Sequence, residues 1–273
     1  MSQHQMLRVL IKDKVIPIKF KQIEWWNLFE NKPETFFVPN VVQEHATARC
    51  LLRGFLFEEI THMLVRHICD RIPGKDVVHA GAFVGDMLPS FSKANPKGKI
   101  FAFEPVHENY YACLLTTNQN GLSNVVLHHT ALSNEVGTFW VDSQMVVHTE
   151  DVLGSLVDGK NVADKGQLTN AHTVDMYNMA NIVCMHIDVE GHEQRVLEGA
   201  EGTLQKYKPI VMLEDYGVTE AIEFMENQNY HKIGEIPKIS VWVPKDMPQY
   251  IEVLTEFFKT ERMQRDATFF EME

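Results

Sequence analysis

The densest run of chemistry-bearing side chains in this 273-residue chain is Asp188, Glu190, His192 and Glu193, in the string HIDVEGHEQRV. The run leaves an apolar segment, so it falls at the carboxyl edge of a strand, where ligands of open α/β sheets bind. An imidazole with an ordinary pKa of about 6.5 can remove a proton near neutral pH, which makes His192 a candidate general base with Asp188 and Glu190 beside it. The blander account is an exposed histidine at a helix start, with Glu190 and Glu193 favoured by the positive end of that helix. A second acidic pair, Glu214 and Asp215, closes the next apolar segment. Together with Asp188 these acids could converge on a hard divalent cation such as magnesium, or stand solvated at the strand end.

A different chemistry is suggested upstream by VVHAGAFVGDMLPSF, in which Gly81 and Gly85 follow an apolar strand and precede a helix. Glycines there let the backbone turn sharply and approach a ligand. One strand-helix-strand unit later, FAFEP ends on Glu104 and Pro105, and a carboxylate so placed can accept hydrogen bonds from both hydroxyls of a ribose. The two features together point to an adenosine-containing cofactor. A dinucleotide site would use G-x-G-x-x-G against a pyrophosphate, whereas this chain has Gly81-Ala82-Phe83-Val84-Gly85, no third glycine and no phosphate-binding lysine. S-adenosylmethionine carries no phosphate, so a looser turn suffices for it.

These residues need a parallel sheet to position them, and the pattern after Gly74 supplies one. Short apolar runs at 76–80, 99–104, 124–129, 181–188, 209–215, 230–236 and 239–243 alternate with helical segments, the signature of a mostly parallel, doubly wound α/β sheet. The last two runs are separated only by Pro237 and Lys238, so they form an antiparallel hairpin, because a parallel pair needs a crossover. His186 alternates to the face opposite its neighbours and is expected to be packed. Val196, Leu197, Ala200 and Leu204 form an apolar helix face. Between the third and fourth strands, 131–180 holds an excursion GTFWVD and a polar stretch DVLGSLVDGKNVADKGQ, expected to be a loop or a lid. Residues 250–265 read as a closing helix.

Before the sheet, residues 6–20 alternate as a short hairpin, QIEWWNLFE reads as a brief helix, and one amphipathic helix is expected from about Glu44 to Cys69. This divides the chain into an N-terminal extension, 1–74, and a main domain, 75–273. Trp25, Trp26, Phe36 and Phe37 either pack that extension on the core, meet another subunit or line a pocket, so homo-oligomer formation stays open. Arg49 and Arg53, one turn apart, either steer an anion or are solvated.

A 45% hydrophobic content, with 10% aromatic residues, is enough to build a core throughout. No apolar run is long enough for a membrane span and the start lacks a secretory signal, so a cytoplasmic protein with no membrane partner is expected. A net charge of −12 and a pI near 5.5 repel phosphate backbones, which favours a small-molecule or glycan partner over nucleic acid. Cys50, Cys69, Cys113 and Cys184 show no C-x-x-C spacing and read as reduced thiols.

Three blocks of the chain resemble the FkbM family of methyltransferases: VVHAGAFVGD, FAFEPVHENYYACLLTTNQNGLSNVVLHHTALS and HIDVEGHEQRVLEGAEGTLQKYKPIVMLE, in that order over roughly residues 76–215. The resemblance implies a class I, Rossmann-like methyltransferase fold with a seven-stranded sheet, S-adenosylmethionine as cofactor and an oxygen as methyl acceptor, here a hydroxyl of a sugar or related small metabolite. It also implies that His79, residues 81–85, Glu104, Pro105 and Asp188 bind the cofactor, with Ala131 and Leu132 flanking the adenine. The family generally carries an acid where this chain has His79, which leaves the backbone at Gly81 to Gly85 and Glu104 to hold the ligand. The acids at 188, 214 and 215 look like those of metal-dependent macrolide-sugar O-methyltransferases. Two rival functions remain: a catalytically inactive S-adenosylmethionine-binding module, suggested by His79, and a nicotinamide-dependent oxidoreductase, suggested by the shared adenosine logic.

Overall fold

A computed structural model describes residues 3–11, 14–27, 32–142, 166–214, 219–260 and 268–269. The chain opens with an antiparallel three-stranded sheet, β1 (Gln3–Ile11), β2 (Lys14–Asn27) and β3 (Lys32–Pro39). The expected hairpin is present, with Met6 opposite Lys19. The brief helix expected in QIEWWNLFE is absent from its described part, because β2 continues to Asn27 and pairs Ile23 with Phe36 and Trp25 with Glu34. Isoleucine and tryptophan suit a pleated surface once a partner strand exists, and the Trp25 and Phe36 rings meet edge-on at 5.6 Å.

Two helices, α1 (Ala46–Leu52) and α2 (Glu59–Arg71), replace the single one expected from Glu44 to Cys69. Gly54, at φ +84°, ends α1 in the left-handed conformation that glycine adopts without cost, and Phe55 N donates to Cys50 O to close the turn. The apolar spacing carries on across this break, which is why it reads as continuous.

The main sheet and its crossovers follow in the order β4 (Asp76–Ala80), α3 (Leu88–Ala94), β5 (Ile100–Phe103), α4 (His107–Gln119), β6 (Val125–His128), β7 (Ala131–Leu132), β8 (Gly137–Asp142), β9 (Gly166–His172), β10 (Ile182–Ile187), α5 (Glu193–Glu198), α6 (Glu201–Tyr207), β11 (Ile210–Glu214), α7 (Thr219–Asn227), β12 (Tyr230–Ile236), β13 (Ile239–Pro244), α8 (Pro248–Phe258) and β14 (Thr268–Phe269). The large sheet has the strand order β14-β12-β13-β11-β10-β4-β5-β6. Strands β6, β5, β4, β10 and β11 are parallel, while β13 runs against both of its neighbours. All seven expected strands are present. The two-residue β14 adds an eighth at the β12 edge, and α8 stops at Phe258, short of the closing helix expected to 265. GTFWVD forms β8, which joins β7 and β9 in a small third sheet; most of the polar stretch before β9 lies outside the described residues.

Strand alternation sends side chains to two apolar layers. Leu64 and Ile68 of α2, Phe91 of α3 and Leu254 of α8 cover one face, against Val77 and Met212. Val196, Leu197, Leu204 and Met225 cover the other, against Val78, Ala80 and Leu213. The apolar face foreseen from Val196 to Leu204 is therefore buried, although it spans two helices, the second capped by Asp175 through Gly202 N at 2.8 Å and Thr203 N at 2.7 Å. Phe36 and Phe37 sit in a third cluster with Phe20, Leu51, Val84 and Ala112, which packs the N-terminal sheet on α4 and the glycine turn. Asn120 fastens the contact by donating to Thr35 O at 2.7 Å. The four cysteines are unbonded, and no described helix is long and apolar enough to cross a membrane.

Candidate active site

The turn after β4 folds back onto its own sheet. Gly81 N and Ala82 N both donate to Phe103 O, at 3.1 and 2.9 Å, while Gly81 stands at φ +85° with its α-carbon so close to β10 that a β-carbon would lie 1.7 Å from Asp188 O. Only glycine fits. Glu104, buried at the end of β5, then ties the turn down: Oε2 accepts from Phe83 N at 2.8 Å and Oε1 from Val106 N at 2.9 Å. Burial pushes this carboxyl up to about 8 in spite of those two donors.

Above the turn lies a solvent-open cleft with two unlike halves. One half is largely apolar, walled by Phe83, Phe103, Pro105, Ala131 and Leu132 around Glu104. The other is acidic, with Glu58, Asp86, Asp188, Glu190 and Glu214 joined by His45, Phe57 and Lys238. Of the residues expected to hold a cofactor, His79, Gly81, Phe83, Glu104, Pro105, Ala131, Leu132 and Asp188 line this cleft. Ala82, Val84 and Gly85 do not. The turn alternates direction, so Ala82 joins the main core, Val84 the N-terminal cluster, and Gly85 backs onto Cys113.

The expected proton-transfer residues are also near the cleft, in an arrangement that differs from expectation. His192 is buried rather than exposed; its Nε2 bonds Ser133 Oγ at 3.1 Å, next to Leu132 on the apolar side. Burial, aided by Arg195, lowers it to about 4, so it is uncharged near neutral pH. Glu193 accepts from Val189 N at 3.1 Å and Gly191 N at 3.0 Å and so closes the turn into α5. Asp188 and Glu214 hydrogen-bond each other, and burial first, then Glu214, raises Asp188 well above the carboxylate range, so the pair retains a proton between them. Among the described residues no three side chains of His, Cys, Asp or Glu are arranged to hold a metal ion; Asp215 lies outside them. Arg49 and Arg53 are exposed and line no part of the cleft.

Where an acid was expected, His79 stands opposite His186 in register, and their Nδ1 atoms are 3.0 Å apart. His186 is thus hydrogen-bonded and packed, as its strand position suggested. Burial depresses both rings, His186 to about 3 and His79 well below its ordinary value. With both neutral, one Nδ1 carries the shared proton, so one Nε2 bears a hydrogen and the other a lone pair. Both Nε2 atoms are buried without a hydrogen-bond partner among the described residues.

The donor set suits S-adenosylmethionine. Glu104 keeps lone pairs for two ribose hydroxyls, the apolar half fits an adenine, and an acid-rich half suits a sulfonium and an ammonium group. Sequence inspection missed His45, Phe57, Glu58 and Lys238, which come from the N-terminal segment and a hairpin turn and carry no motif. Asp86 was within reach, since it directly follows Gly85.

Comparison with known proteins agrees with this geometry. The model of the methyltransferase FkbM domain matches residues 79–251, well over half of the chain. No curated protein matches the sequence. Among solved structures, methyltransferase FkbM from Methylobacillus flagellatus KT is 15% identical over 62% of this chain and 43% of its own, with a TM-score of 0.46; this chain therefore spans less than half of that protein. Precorrin-6y C5,15-methyltransferase from Geobacter metallireducens GS-15 is 14% identical over 74% of this chain and 92% of its own, with a TM-score of 0.44. A SAM-dependent O-methyltransferase from Thermotoga maritima is 10% identical over 85% and 64%, with a TM-score of 0.43. By its domain match and the arrangement of its sheet and glycine turn, the chain belongs to the FkbM family of S-adenosylmethionine-dependent methyltransferases.

Proposed function

We propose that the protein transfers a methyl group to a hydroxyl of a sugar or a related small metabolite. The observation that carries this reading is the acidic half of the cleft, which adjoins the glycine turn at Asp188 and combines carboxylates with the rings of Phe57 and His45. Carboxylates accept hydrogen bonds from hydroxyls, and aromatic faces pack on the C–H surface of a sugar ring. The same acids, with the net charge of −12, work against a phosphate backbone. Bound S-adenosylmethionine supplies a methyl group activated on a sulfonium. The protein holds the ribose with Glu104, fits Gly81 and Phe83 to the cofactor and flanks the adenine with Ala131 and Leu132. Asp188, beside Gly81, shapes the point where the two halves meet.

The test combines calorimetry with S-adenosylhomocysteine and transfer of a labelled methyl group to a panel of mono- and oligosaccharides, with RNA as control. Binding together with label on a saccharide is expected. Glu104→Ala should weaken binding at least about tenfold, through loss of the hydrogen bonds to the ribose hydroxyls. Label on RNA alone would overturn the acceptor assignment, and binding without transfer to any acceptor would favour the inactive module.

A further inference from the structure

Glu58 occupies the position before the first turn of α2, where a side chain would ordinarily cap the helix, yet it makes no capping hydrogen bond. Its backbone is left-handed, at φ +52°, a conformation disfavoured for a non-glycine residue. That geometry turns the carboxyl into the acidic half of the cleft instead. There Oε2 is buried and has no hydrogen-bond partner among the described residues.

Its surroundings come from four further elements. Glu58 interacts electrostatically with Asp86 from the glycine turn, Asp188 and Glu190 after β10, Glu214 at the end of β11, and Lys238 in the β12–β13 turn. It is thus the hub of the acidic half. Lys238 lies over the Phe57 ring, 5.3 Å from its centre, and its charge acts on the Glu58 carboxyl. Three other candidates for proton removal are engaged: Asp188 with Glu214, Glu193 with two backbone N–H groups, and His192 with Ser133.

We propose that Glu58 accepts the proton of the hydroxyl that is methylated, and that Lys238 is the positioning residue that holds its carboxylate. The assignment rests on the methyl-transfer reading above. As the acceptor oxygen bonds the methyl carbon, the C–S electron pair stays on sulfur and the hydroxyl proton passes to Glu58, so one positive and one negative charge disappear together. Burial, reinforced by Glu214 and Glu190 and opposed by Lys238, pushes the Glu58 carboxyl up to about 7, a value suited to a base at neutral pH. Glu58 also lies outside the segment matched to the family, residues 79–251.

Calorimetry in buffers of different ionisation enthalpy tests the assignment on the intact protein with two probes, S-adenosylmethionine and S-adenosylhomocysteine. Only the first carries a sulfonium charge, and their ribose contacts with Glu104 cancel in the difference. Near pH 7 the first is expected to release more protons than the second. Glu58→Gln should abolish that excess while S-adenosylhomocysteine affinity stays within about threefold, and Lys238→Met should move the pH of greatest excess upward. With any saccharide that is methylated, Glu58→Gln should lower kcat about 100-fold or more with at most a several-fold rise in the cofactor KM, the loss of the carboxylate's attraction for the sulfonium, and remove the pH limb near 7. A wild-type protein with no excess, or an excess that survives Glu58→Gln, overturns the proposal. Should that variant fail to fold, an unmoved pH maximum in Lys238→Met overturns it equally. Failure of both probes to bind the wild-type protein would instead overturn the methyltransferase reading on which it depends.

Discussion

Acid should destabilise this fold through histidines that it buries uncharged. His62 on α2 is 5% exposed and His186 on β10 is 1% exposed, and burial lowers them to about 4 and about 3. A ring whose folded value lies below its unfolded value of about 6.5 is protonated more readily in the unfolded chain, so stability is present above pH 6.5 and lost as pH falls toward the folded value. Between pH 7.5 and pH 5 each ring then removes about 2 kcal/mol, together about 4 kcal/mol out of a typical total of about 5–15 kcal/mol. Asp86 and Glu104 act oppositely: raised to about 7 and about 8, they favour the folded state at low pH and lose that contribution as pH rises. His62→Leu separates the two effects, since the acids are common to both proteins. Urea unfolding followed by circular dichroism across pH 5 to 7.5 should show the variant losing about 2 kcal/mol less than the wild type over that range. Parallel pH dependences for variant and wild type would refute the reasoning.

Two other substitutions probe the frame of the site. Gly81→Ala sets a methyl group 1.7 Å from Asp188 O at φ +85°, and should destabilise the fold by at least about 2 kcal/mol and abolish S-adenosylhomocysteine binding, read by thermal melting and calorimetry. Phe37→Ala, by contrast, empties a buried position between the N-terminal sheet and the core; it should cost about 3–5 kcal/mol in denaturant unfolding while leaving the affinity of the folded protein for S-adenosylhomocysteine unchanged.

What the sequence determined by itself is the part of the molecule whose signals are local. Each main-sheet strand is a short apolar run bounded by polar or turn residues, so β4 to β6 and β10 to β13 were legible, as was the antiparallel hairpin forced by a two-residue link. The glycine turn and Glu104 were legible for the same reason: a backbone that must turn sharply and an acid at the next strand end leave a mark within a few residues. Tertiary structure alone decided the rest. QIEWW became strand because β3 pairs with it, and the helix after Glu44 broke at Gly54 where the apolar spacing runs on unbroken. His192 is held by one hydrogen bond to Ser133, a residue 59 positions away. The acidic half of the cleft draws on residues 45, 58, 86, 188, 190, 214 and 238, which no local pattern links. Their proton affinities follow from burial and mutual charge, quantities that come into existence only when the chain has folded and excluded water from around them.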